Sequence, residues 1–269
     1  MLSILMPVYN EAATVERAVQ EVLSTELPAD FELIVVDDGS TDGSRELLER
    51  MDWPANARLF HHEENRGKGA AVQTALGQAR GEVVTIFDAD LEYDPADIAL
   101  LLPPLLEGRA NAVFGVRAFD GYTSHSFLYV LGNKGVTLAA NVLFNVYLRD
   151  IMTCHKAIRT EVFQSLRLSA RGFDIEPEIT ARLLQAGERI YEVPISYRAR
   201  STEEGKKLAA ADGFRVLRTL IRCRLSGRAH LSPNTRRGPD AAGGAQADAA
   251  GNGSLPDASA SGSSEPLRR

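Results

Sequence analysis

The sequence predicts an α/β fold with a mostly parallel central sheet covered by helices on both faces. Short apolar runs alternate with amphipathic stretches from residue 2 to about residue 117, which is the pattern of repeated strand–helix units. The runs are apolar almost throughout rather than at every second position, as expected of strands buried on both faces. The 269 residues suffice for one such domain with a substantial core.

Changes in pattern bound each predicted element. Five strands are predicted in the first half of the chain, at Leu2–Met6, Phe31–Val36, Arg58–His61, Val83–Phe87 and Asn111–Val116. Four helices are predicted between them, at Ala12–Ser24, Ser44–Met51, Ala70–Ala79 and Pro95–Glu107. Further on, strands are predicted at Met152–Ile158 and Ile190–Tyr197, and helices at about 124–148, 160–167, 176–186 and 208–226.

These elements are predicted to form one domain over residues 1–226. From residue 227 to residue 269 the chain is mostly Ala, Gly, Ser, Asp and Pro, with almost no large apolar side chains. Such a segment cannot bury enough surface to offset the entropy of ordering, so we expect a disordered tail.

The charge of the chain is segregated along its length. Residues 1–197 carry 17 basic and 29 acidic side chains, whereas residues 198–228 carry nine basic and three acidic ones. An acidic body with one basic segment argues against nucleic-acid binding and favours a localised anionic partner, although a solvated basic helix would look the same.

The sequence also favours a cytoplasmic protein without a membrane span. The apolar run Met1–Met6 is too short for a signal peptide, and no stretch of about 18 uncharged apolar residues occurs. Cys154 and Cys223 have no metal or redox spacing, so we expect two free thiols that pack as small apolar residues.

Polar residues cluster where three of the predicted strands end. Asn10 and Glu11 follow the first strand, Asp37–Ser40 the second, and Asp88–Asp90 the fourth. The carboxyl ends of parallel strands meet at one edge of a sheet, which is where ligands bind in such folds. Three polar clusters at one edge predict a site.

Two of these clusters have a definite chemistry. Asp88 and Asp90 sit at positions i and i+2 of an extended segment, so their carboxylates point the same way and need a divalent cation or hydrogen-bond donors beside them. The run Asp37–Asp42 can accept hydrogen bonds from a base or ribose, although Thr41 or Asp42 could instead cap the following helix. The Gly-x-Gly in Asn65–Gly69 lacks the context of a dinucleotide fingerprint, and His61-His62 is read as a strand end rather than a metal site.

Together these motifs resemble those of family 2 inverting glycosyltransferases, and most closely the dolichol-phosphate and polyprenyl-phosphate mannose synthase branch. The resemblance covers residues 2 to about 222 and implies a GT-A fold. It rests on Pro7–Glu11, Asp37–Asp42, Asn65–Gly69, Asp88–Asp94 and Gly115–Arg117, followed by Asp150–Lys156, Phe173–Glu178, Val193–Tyr197, Arg200 and Glu204–Lys207.

What the resemblance implies for the donor is specific to single residues. Six residues would contact the nucleotide-sugar: Pro7, Tyr9 and Glu11 at the base, Asp38 at the base or ribose, and Asp88 and Ala89 at the ribose and sugar. The donor would be GDP-mannose or UDP-glucose, which the sequence does not distinguish.

The resemblance also implies a metal and a set of cations. Asp90 and Glu92 would hold Mg²⁺ or Mn²⁺ on the donor diphosphate. The catalytic set would comprise Asp90 and the phosphate-binding residues Arg117, Arg200 and Lys207, with Lys206 as the alternative to Lys207.

The acceptor implied by the resemblance is a polyprenyl or dolichyl phosphate. Such a phosphate is already anionic at pH 7 and needs no general base, so direct displacement would invert the anomeric centre. A hydroxyl acceptor on a glycan or glycolipid is the alternative, and it would need Glu176 or Glu178 as base. A non-catalytic nucleotide-sugar binder is a second alternative.

The final predicted helix favours contact with the cytoplasmic face of a membrane. Phe214, Leu217, Leu220, Ile221 and Leu225 would share one side and Arg215, Arg218 and Arg222 the other, as in a basic interfacial helix. The same pattern fits a helix with its apolar side on the core and its arginines in water. We therefore expect a peripheral protein, or one recruited by a membrane-anchored partner.

Overall fold

The computed structural model describes residues 1–117, 127–198 and 210–226, and the side chains within them except those of 127–129 and 210–212. Its strands are β1 (Leu2–Val8), β2 (Phe31–Asp37), β3 (Ala57–His61), β4 (Val83–Ile86), β5 (Ala112–Arg117), β6 (Lys156–Arg159) and β7 (Ile190–Ile195). Its α-helices are α1 (Val15–Ser24), α2 (Ser44–Arg50), α3 (Lys68–Gln78), α4 (Ile98–Leu106), α5 (Phe127–Phe144), α6 (Thr160–Ser165), α7 (Ile175–Ala186) and α8 (Ala210–Leu225).

The strands of the described residues form one seven-stranded sheet in the order β3-β2-β1-β4-β6-β5-β7. Every pairing is parallel except those of β6, which runs antiparallel to β4 and β5. The predicted α/β class with a mostly parallel sheet is therefore confirmed. β1 lies at the centre, and Ile4, Leu5 and Met6 are fully buried, which explains why its sequence is apolar at almost every position.

The strand predicted at Met152–Ile158 is wrong over its first half. β6 begins only at Lys156, and the residues before it form a buried loop. The ammonium group of Lys156 donates hydrogen bonds to the carbonyl oxygens of Ile151 and Thr153 and lies 4.7 Å from the centroid of the Phe114 ring. Residues 153–155 are thus buried because they belong to a loop folded over a buried lysine, and not because they pair in the sheet.

A second, smaller apolar cluster lies beside the main core. It joins α5, α7 and α8 through buried residues that include Ala140, Ala181, Val216, Leu220 and Cys223. Both cysteines are buried and free, as predicted. The predicted tail, 227–269, lies outside the described residues.

The start of α3 approaches residues 170–172 so closely that only glycine fits. A Cβ on Gly69 would overlap the carbonyl oxygen of Ala170, whereas a Cβ on Gly77, in the same helix, would meet nothing within 4 Å. We expect Gly69→Ala to lower the free energy of unfolding by about 3 kcal/mol, because backbone must move. Gly77→Ala should leave it unchanged or raise it by about 0.5 kcal/mol. Urea denaturation of both variants tests this, and equal effects would contradict it.

Candidate active site

A cleft of about 450 Å³ opens where β1, β2 and β4 end. The cleft brings together nine of the twelve residues predicted for the site: Pro7, Tyr9, Glu11, Asp38, Asp88, Ala89, Asp90, Glu92 and Arg117. The other three, Arg200, Lys206 and Lys207, lie outside the described residues. The predicted strand-end clusters therefore do meet at one place, and the chemical roles of their residues stay predictions.

The loop after β1 is held by the segment that follows β2. The backbone N–H of Glu11 donates to the Ser44 hydroxyl at 2.8 Å, and that of Ala12 donates to Asp42 at 3.0 Å. Asp42 also accepts from the backbone N–H of Ser44 at 3.0 Å. Asp42 thus fastens two loops together, and this contact fixes the direction in which Tyr9 and Glu11 enter the cleft.

Asp38 is buried at the floor of the cleft, where it organises a neighbouring loop. Its carboxylate accepts hydrogen bonds from the backbone N–H groups of Arg66 and Gly67, at 3.0 and 2.7 Å. His62 Nδ1 lies 2.6 Å from Asp38 and must donate, because a carboxylate only accepts. His62 Nε2 in turn lies 2.9 Å from the Thr74 hydroxyl. His62, read from sequence as a strand end, therefore orients Asp38.

Asp37, the neighbour of Asp38, has a structural role instead. Its carboxylate pairs with Arg45 at 2.8 Å and accepts from the backbone N–H of Ser40 at 3.2 Å. Burial acts to raise the pKa of Asp37, but the hydrogen bonds from Ser40 and Arg45 outweigh it and hold the pKa below its usual value. Of the two adjacent aspartates, Asp38 is the one that lines the cleft.

The segment after β4 supplies the acidic residues of the cleft. Leu91 has a left-handed backbone with φ +60°, and the turn brings the backbone N–H of Glu92 to 3.0 Å from Asp90 Oδ1. Glu92 Oε2 accepts a hydrogen bond from the Tyr197 hydroxyl at 2.7 Å. Asp90 and Glu92 thus present hard oxygen ligands of the kind that Mg²⁺ and Mn²⁺ prefer.

The carboxylates of this site fit a metal ion that is bound partly by the protein and partly by the substrate. Within the described ranges, no three His, Cys, Asp or Glu side chains converge so as to hold a metal ion. Mg²⁺ is commonly bound by one or two carboxylates together with substrate phosphates. Asp90 and Glu92 satisfy that pattern.

Asp88 is paired with a lysine that the sequence reasoning did not assign. Lys68 Nζ lies 2.8 Å from Asp88 Oδ2 and 2.7 Å from Glu176 Oε1. Burial acts to lower the pKa of Lys68, but Asp88 and Glu176 outweigh it and raise that pKa well above its usual value. The signal available in the sequence was Lys68 within the Asn65–Gly69 motif. Its two partners are distant in the chain, so only the fold reveals them.

Arg117 ends β5 and lines the cleft. Its guanidinium makes a two-pronged pair with Asp150, with Nε 2.6 Å from Oδ2 and Nη2 2.9 Å from Oδ1. Nη2 also donates to Asn133 at 3.3 Å, and the guanidinium carbon lies 5.0 Å from the centroid of the Tyr197 ring. This pair explains the position of Asp150, which begins the Asp150–Lys156 motif.

Comparison with known proteins places the chain in a family. The sequence profile described as "Glycosyl transferase family 2" matches residues 3–167, more than half of the chain. The chain belongs to glycosyl transferase family 2. The matched range contains the cleft-lining residues from Pro7 to Cys154.

Relatives of this family 2 glycosyltransferase include two archaeal enzymes. Glycosyltransferase AglD of Haloferax volcanii is 31% identical over 208 residues, which cover 73% of this chain and 33% of AglD. The dolichol-phosphate mannosyltransferase of Pyrococcus furiosus is 26% identical over 225 residues, which cover 82% of this chain and 63% of that protein. The chain thus spans less than two thirds of either relative.

The fold of the family 2 domain matches solved structures. Glucosyl-3-phosphoglycerate synthase from Mycobacterium tuberculosis, in complex with Mn²⁺, uridine diphosphate and glucosyl-3-phosphoglycerate, superposes with a TM-score of 0.63 at 24% identity. The match covers 83% of this chain and 79% of that one. It confirms the GT-A fold predicted for this chain.

Of the two glutamates considered as a base, only Glu176 lies in the cleft. The Glu178 carboxylate accepts hydrogen bonds from the backbone N–H groups of Ser169 and Ala170, at 2.8 and 2.6 Å, and from the Ser169 hydroxyl at 2.8 Å. Arg222 lies 3.5 Å from the same group. Glu178 is therefore a structural residue that ties α7 to the loop before it.

The outward face of α8 differs from the predicted one at Leu220. Leu220 is fully buried with Val216 and Cys223, because these residues pack against α5 and α7. The other predicted apolar residues are exposed: Phe214 at 82%, Leu217 at 37%, Ile221 at 42% and Leu225 at 80%. Among the described helices, none is long and apolar enough to cross a membrane.

Proposed function

We propose that this glycosyltransferase moves a hexose from a nucleotide-sugar onto a polyprenyl or dolichyl phosphate at the surface of a membrane, with inversion at the anomeric carbon. The observation that carries the proposal is the meeting of the strand-end clusters in one cleft, whose lining also includes the carboxylates of Asp90 and Glu92 and the guanidinium of Arg117. The kinship with a dolichol-phosphate mannosyltransferase supports the acceptor.

The donor binds along the edge of the sheet in this proposal. Pro7, Tyr9 and Glu11 contact the base, and Asp38 contacts the base or ribose through lone pairs that its three protein donors leave available. Asp88 and Ala89 contact the ribose and sugar. The donor is GDP-mannose or UDP-glucose.

Asp90 and Glu92 hold the divalent cation, Mg²⁺ or Mn²⁺, at the diphosphate. The bound metal supplies charge neutralisation for the leaving nucleoside diphosphate. Solved structures of glucosyl-3-phosphoglycerate synthase contain Mn²⁺ or Mg²⁺ together with uridine diphosphate, which supports the choice of ion.

The acceptor phosphate supplies the oxygen that attacks the sugar, and it is itself negatively charged. Arg117, Arg200 and Lys207, or Lys206 in its place, bring it beside the donor diphosphate by neutralising both charges, which is a matter of position and electrostatics. No proton has to be removed from a phosphate oxygen, so the proposal assigns no general base.

A hydroxyl acceptor is the second candidate function, favoured by one observation. Glu176 lines the cleft, where a carboxylate could take the proton of an attacking hydroxyl group. In that case Glu176, and not Glu178, is the base.

A substrate screen separates these functions. Release of nucleoside diphosphate from GDP-mannose and UDP-glucose is followed with Mn²⁺ or Mg²⁺, with and without polyprenyl phosphate. We expect release only when the lipid phosphate is present. Release with sugar or glycolipid hydroxyl acceptors, and none with the lipid phosphate, would establish the second function. Nucleotide-sugar binding without transfer to either class would indicate a non-catalytic binder.

The proposed membrane contact is supported by the outward face of α8. Phe214, in the second turn of this helix, and Leu225, its last residue, are mostly exposed, and exposed arginines lie between them at positions 215, 218, 222 and 224. Neighbouring α5 also exposes Leu138 and Val142. Apolar side chains beside arginines match a surface of anionic headgroups over acyl chains.

We expect the protein to co-sediment with vesicles that contain phosphatidylglycerol and to dissociate as the salt concentration rises. Each basic residue contributes about 1 kcal/mol of binding free energy at an anionic surface, and salt screens this attraction. Phe214→Ser/Leu225→Ser should weaken vesicle binding about tenfold. The matched control is Leu100→Ser/Leu106→Ser, which removes two exposed leucines from α4 and should have no effect. Equal binding by both double variants would contradict the assignment of α8 to the membrane.

A further inference from the structure

Glu176 is a buried carboxylate that pairs with Lys68 and has further hydrogen-bonding capacity that the other described residues do not use. Its side chain lines the cleft, and the residue is only 3% exposed. Lys68 Nζ lies 2.7 Å from Oε1 as an ion pair, and no hydrogen-bond donor among the described residues reaches Oε2. A carboxylate can accept about four hydrogen bonds, and leaving these unmade in a buried place costs free energy.

The surroundings of the Glu176 carboxylate limit the chemistry of any group that could bind to it. Phosphate oxygens are acceptors and anions, so they cannot satisfy a carboxylate. A divalent cation would lie next to the Lys68 ammonium group, 2.7 Å from the same carboxylate, and like charges disfavour it. Neutral hydroxyl groups donate hydrogen bonds without such repulsion. The partner that fits is therefore a polyhydroxylated group.

An aromatic ring lines the same cleft as this carboxylate. Phe173 lines the cleft just before α7, with Lys68 Nζ 5.9 Å from its ring centroid. The C–H groups on one side of a pyranose pack well against an aromatic ring, while its hydroxyl groups reach outward to polar side chains. Phe173, Glu176 and the Lys68–Asp88 pair thus combine an apolar surface with acceptors and a donor.

We infer that Glu176 accepts hydrogen bonds from hydroxyl groups of the transferred sugar and so selects which hexose the enzyme takes. This inference rests on the proposed use of a nucleotide-sugar donor. In it, Glu176 is a specificity-determining residue rather than a base, and Lys68 holds its carboxylate in place. Because a site built to bind a hydroxyl group rejects an analogue that lacks it, deoxy sugars should bind poorly.

The test is calorimetric binding of nucleotides to the full chain, which needs no turnover. The ligands are UDP, GDP, UDP-glucose, GDP-mannose and the monodeoxy-hexose analogues of the donor that binds. For Glu176→Gln we expect affinity for the nucleoside diphosphate to stay within threefold of wild type and affinity for the nucleotide-sugar to fall at least tenfold. Wild type should bind one deoxy analogue about tenfold more weakly than the parent nucleotide-sugar. Glu176→Gln should bind that analogue and the parent nucleotide-sugar with equal affinity.

Other results would overturn the inference in distinguishable ways. Equal loss of nucleoside diphosphate and nucleotide-sugar affinity would make Glu176 only a support for Lys68. Unchanged nucleotide-sugar affinity in Glu176→Gln, together with slower transfer in the substrate screen described above, would make it a base. Wild type that binds every deoxy analogue as tightly as the parent sugar would exclude hydroxyl recognition, even if the variant did not fold. Wild type that binds the diphosphates but neither nucleotide-sugar would overturn the proposed function as well.

Glu178→Gln is the matched control for these measurements. It makes the same chemical change two positions further along α7, at a carboxylate held by Ser169 and Ala170 outside the cleft. We expect this control to lower the melting temperature and to preserve the ratio of nucleotide-sugar to diphosphate affinity. A change of that ratio in Glu178→Gln would show that any disturbance of α7 alters sugar binding, and would overturn the assignment to Glu176.

Discussion

Asp90→Asn is expected to reduce turnover by about 1000-fold or more, equivalent to roughly 4 kcal/mol of transition-state stabilisation. The substitution removes one negative charge from the proposed metal site and keeps the size of the side chain. The amide oxygen can still accept the hydrogen bond from the backbone N–H of Glu92, so the turn after β4 should persist. Steady-state kinetics on polyprenyl phosphate and thermal unfolding together measure the two effects.

A nearby aspartate provides the control for this prediction. Asp94 accepts a hydrogen bond from the backbone N–H of Ala96 at 2.9 Å and caps the short turn at Pro95–Asp97. Asparagine caps as well as aspartate, so Asp94→Asn should keep both fold and activity. Nucleoside diphosphate should bind Asp90→Asn as it binds wild type without metal, and Mn²⁺ should no longer tighten that binding. Activity of Asp90→Asn within about threefold of wild type would remove Asp90 from the metal site.

The meeting of the strand-end clusters was predictable because it depends on periodicity and topology. Apolar runs identified the strands, and parallel strands have their carboxyl ends at one edge. Residues immediately after those runs, such as Glu11, Asp38 and Asp90, therefore had to meet. In the structure these residues line one cleft. Predicting this required no knowledge of side-chain contacts.

Residues that depend on distant partners could not be found in this way. Nothing in the local sequence around Lys68 indicates that its ammonium group lies between Asp88 and Glu176. His62 could not be found from its local sequence either, since its contact with Asp38 is formed only in the fold. In both cases the contacts of the side chain are set by packing between elements that are far apart in the chain.

The remaining differences between the predicted and the observed elements, before β6 and in α8, arise from burial that does not involve sheet pairing. The loop before β6 is as buried as a strand because it folds over Lys156, whose pKa burial lowers to about 8. In α8, apolar residues occupy more than one side, and the pattern alone does not tell which side packs inward. Contact with α5 and α7 selects Val216, Leu220 and Cys223, which leaves Phe214 and Leu225 outside.

Arg117→Lys is expected to lower kcat/KM for the acceptor about 100-fold, or roughly 2.7 kcal/mol. Lysine keeps the positive charge but cannot reproduce the planar, two-pronged geometry that Arg117 uses with Asp150. The same loss of geometry weakens a buried pair, so we also expect a lower melting temperature. Kinetics alone would therefore not separate binding of phosphate from support of the loop that begins at Asp150.

The partner of Arg117 makes that separation possible. Asp150→Asn keeps a hydrogen-bonding side chain of the same size and leaves the arginine in place, so stability should fall while kcat/KM drops only about tenfold. If Asp150 acts only by holding Arg117, the double variant Arg117→Lys/Asp150→Asn should be no slower than Arg117→Lys. Equal losses of kcat/KM in the two single variants, in proportion to their losses of stability, would show that Arg117 supports the cleft wall and does not bind phosphate.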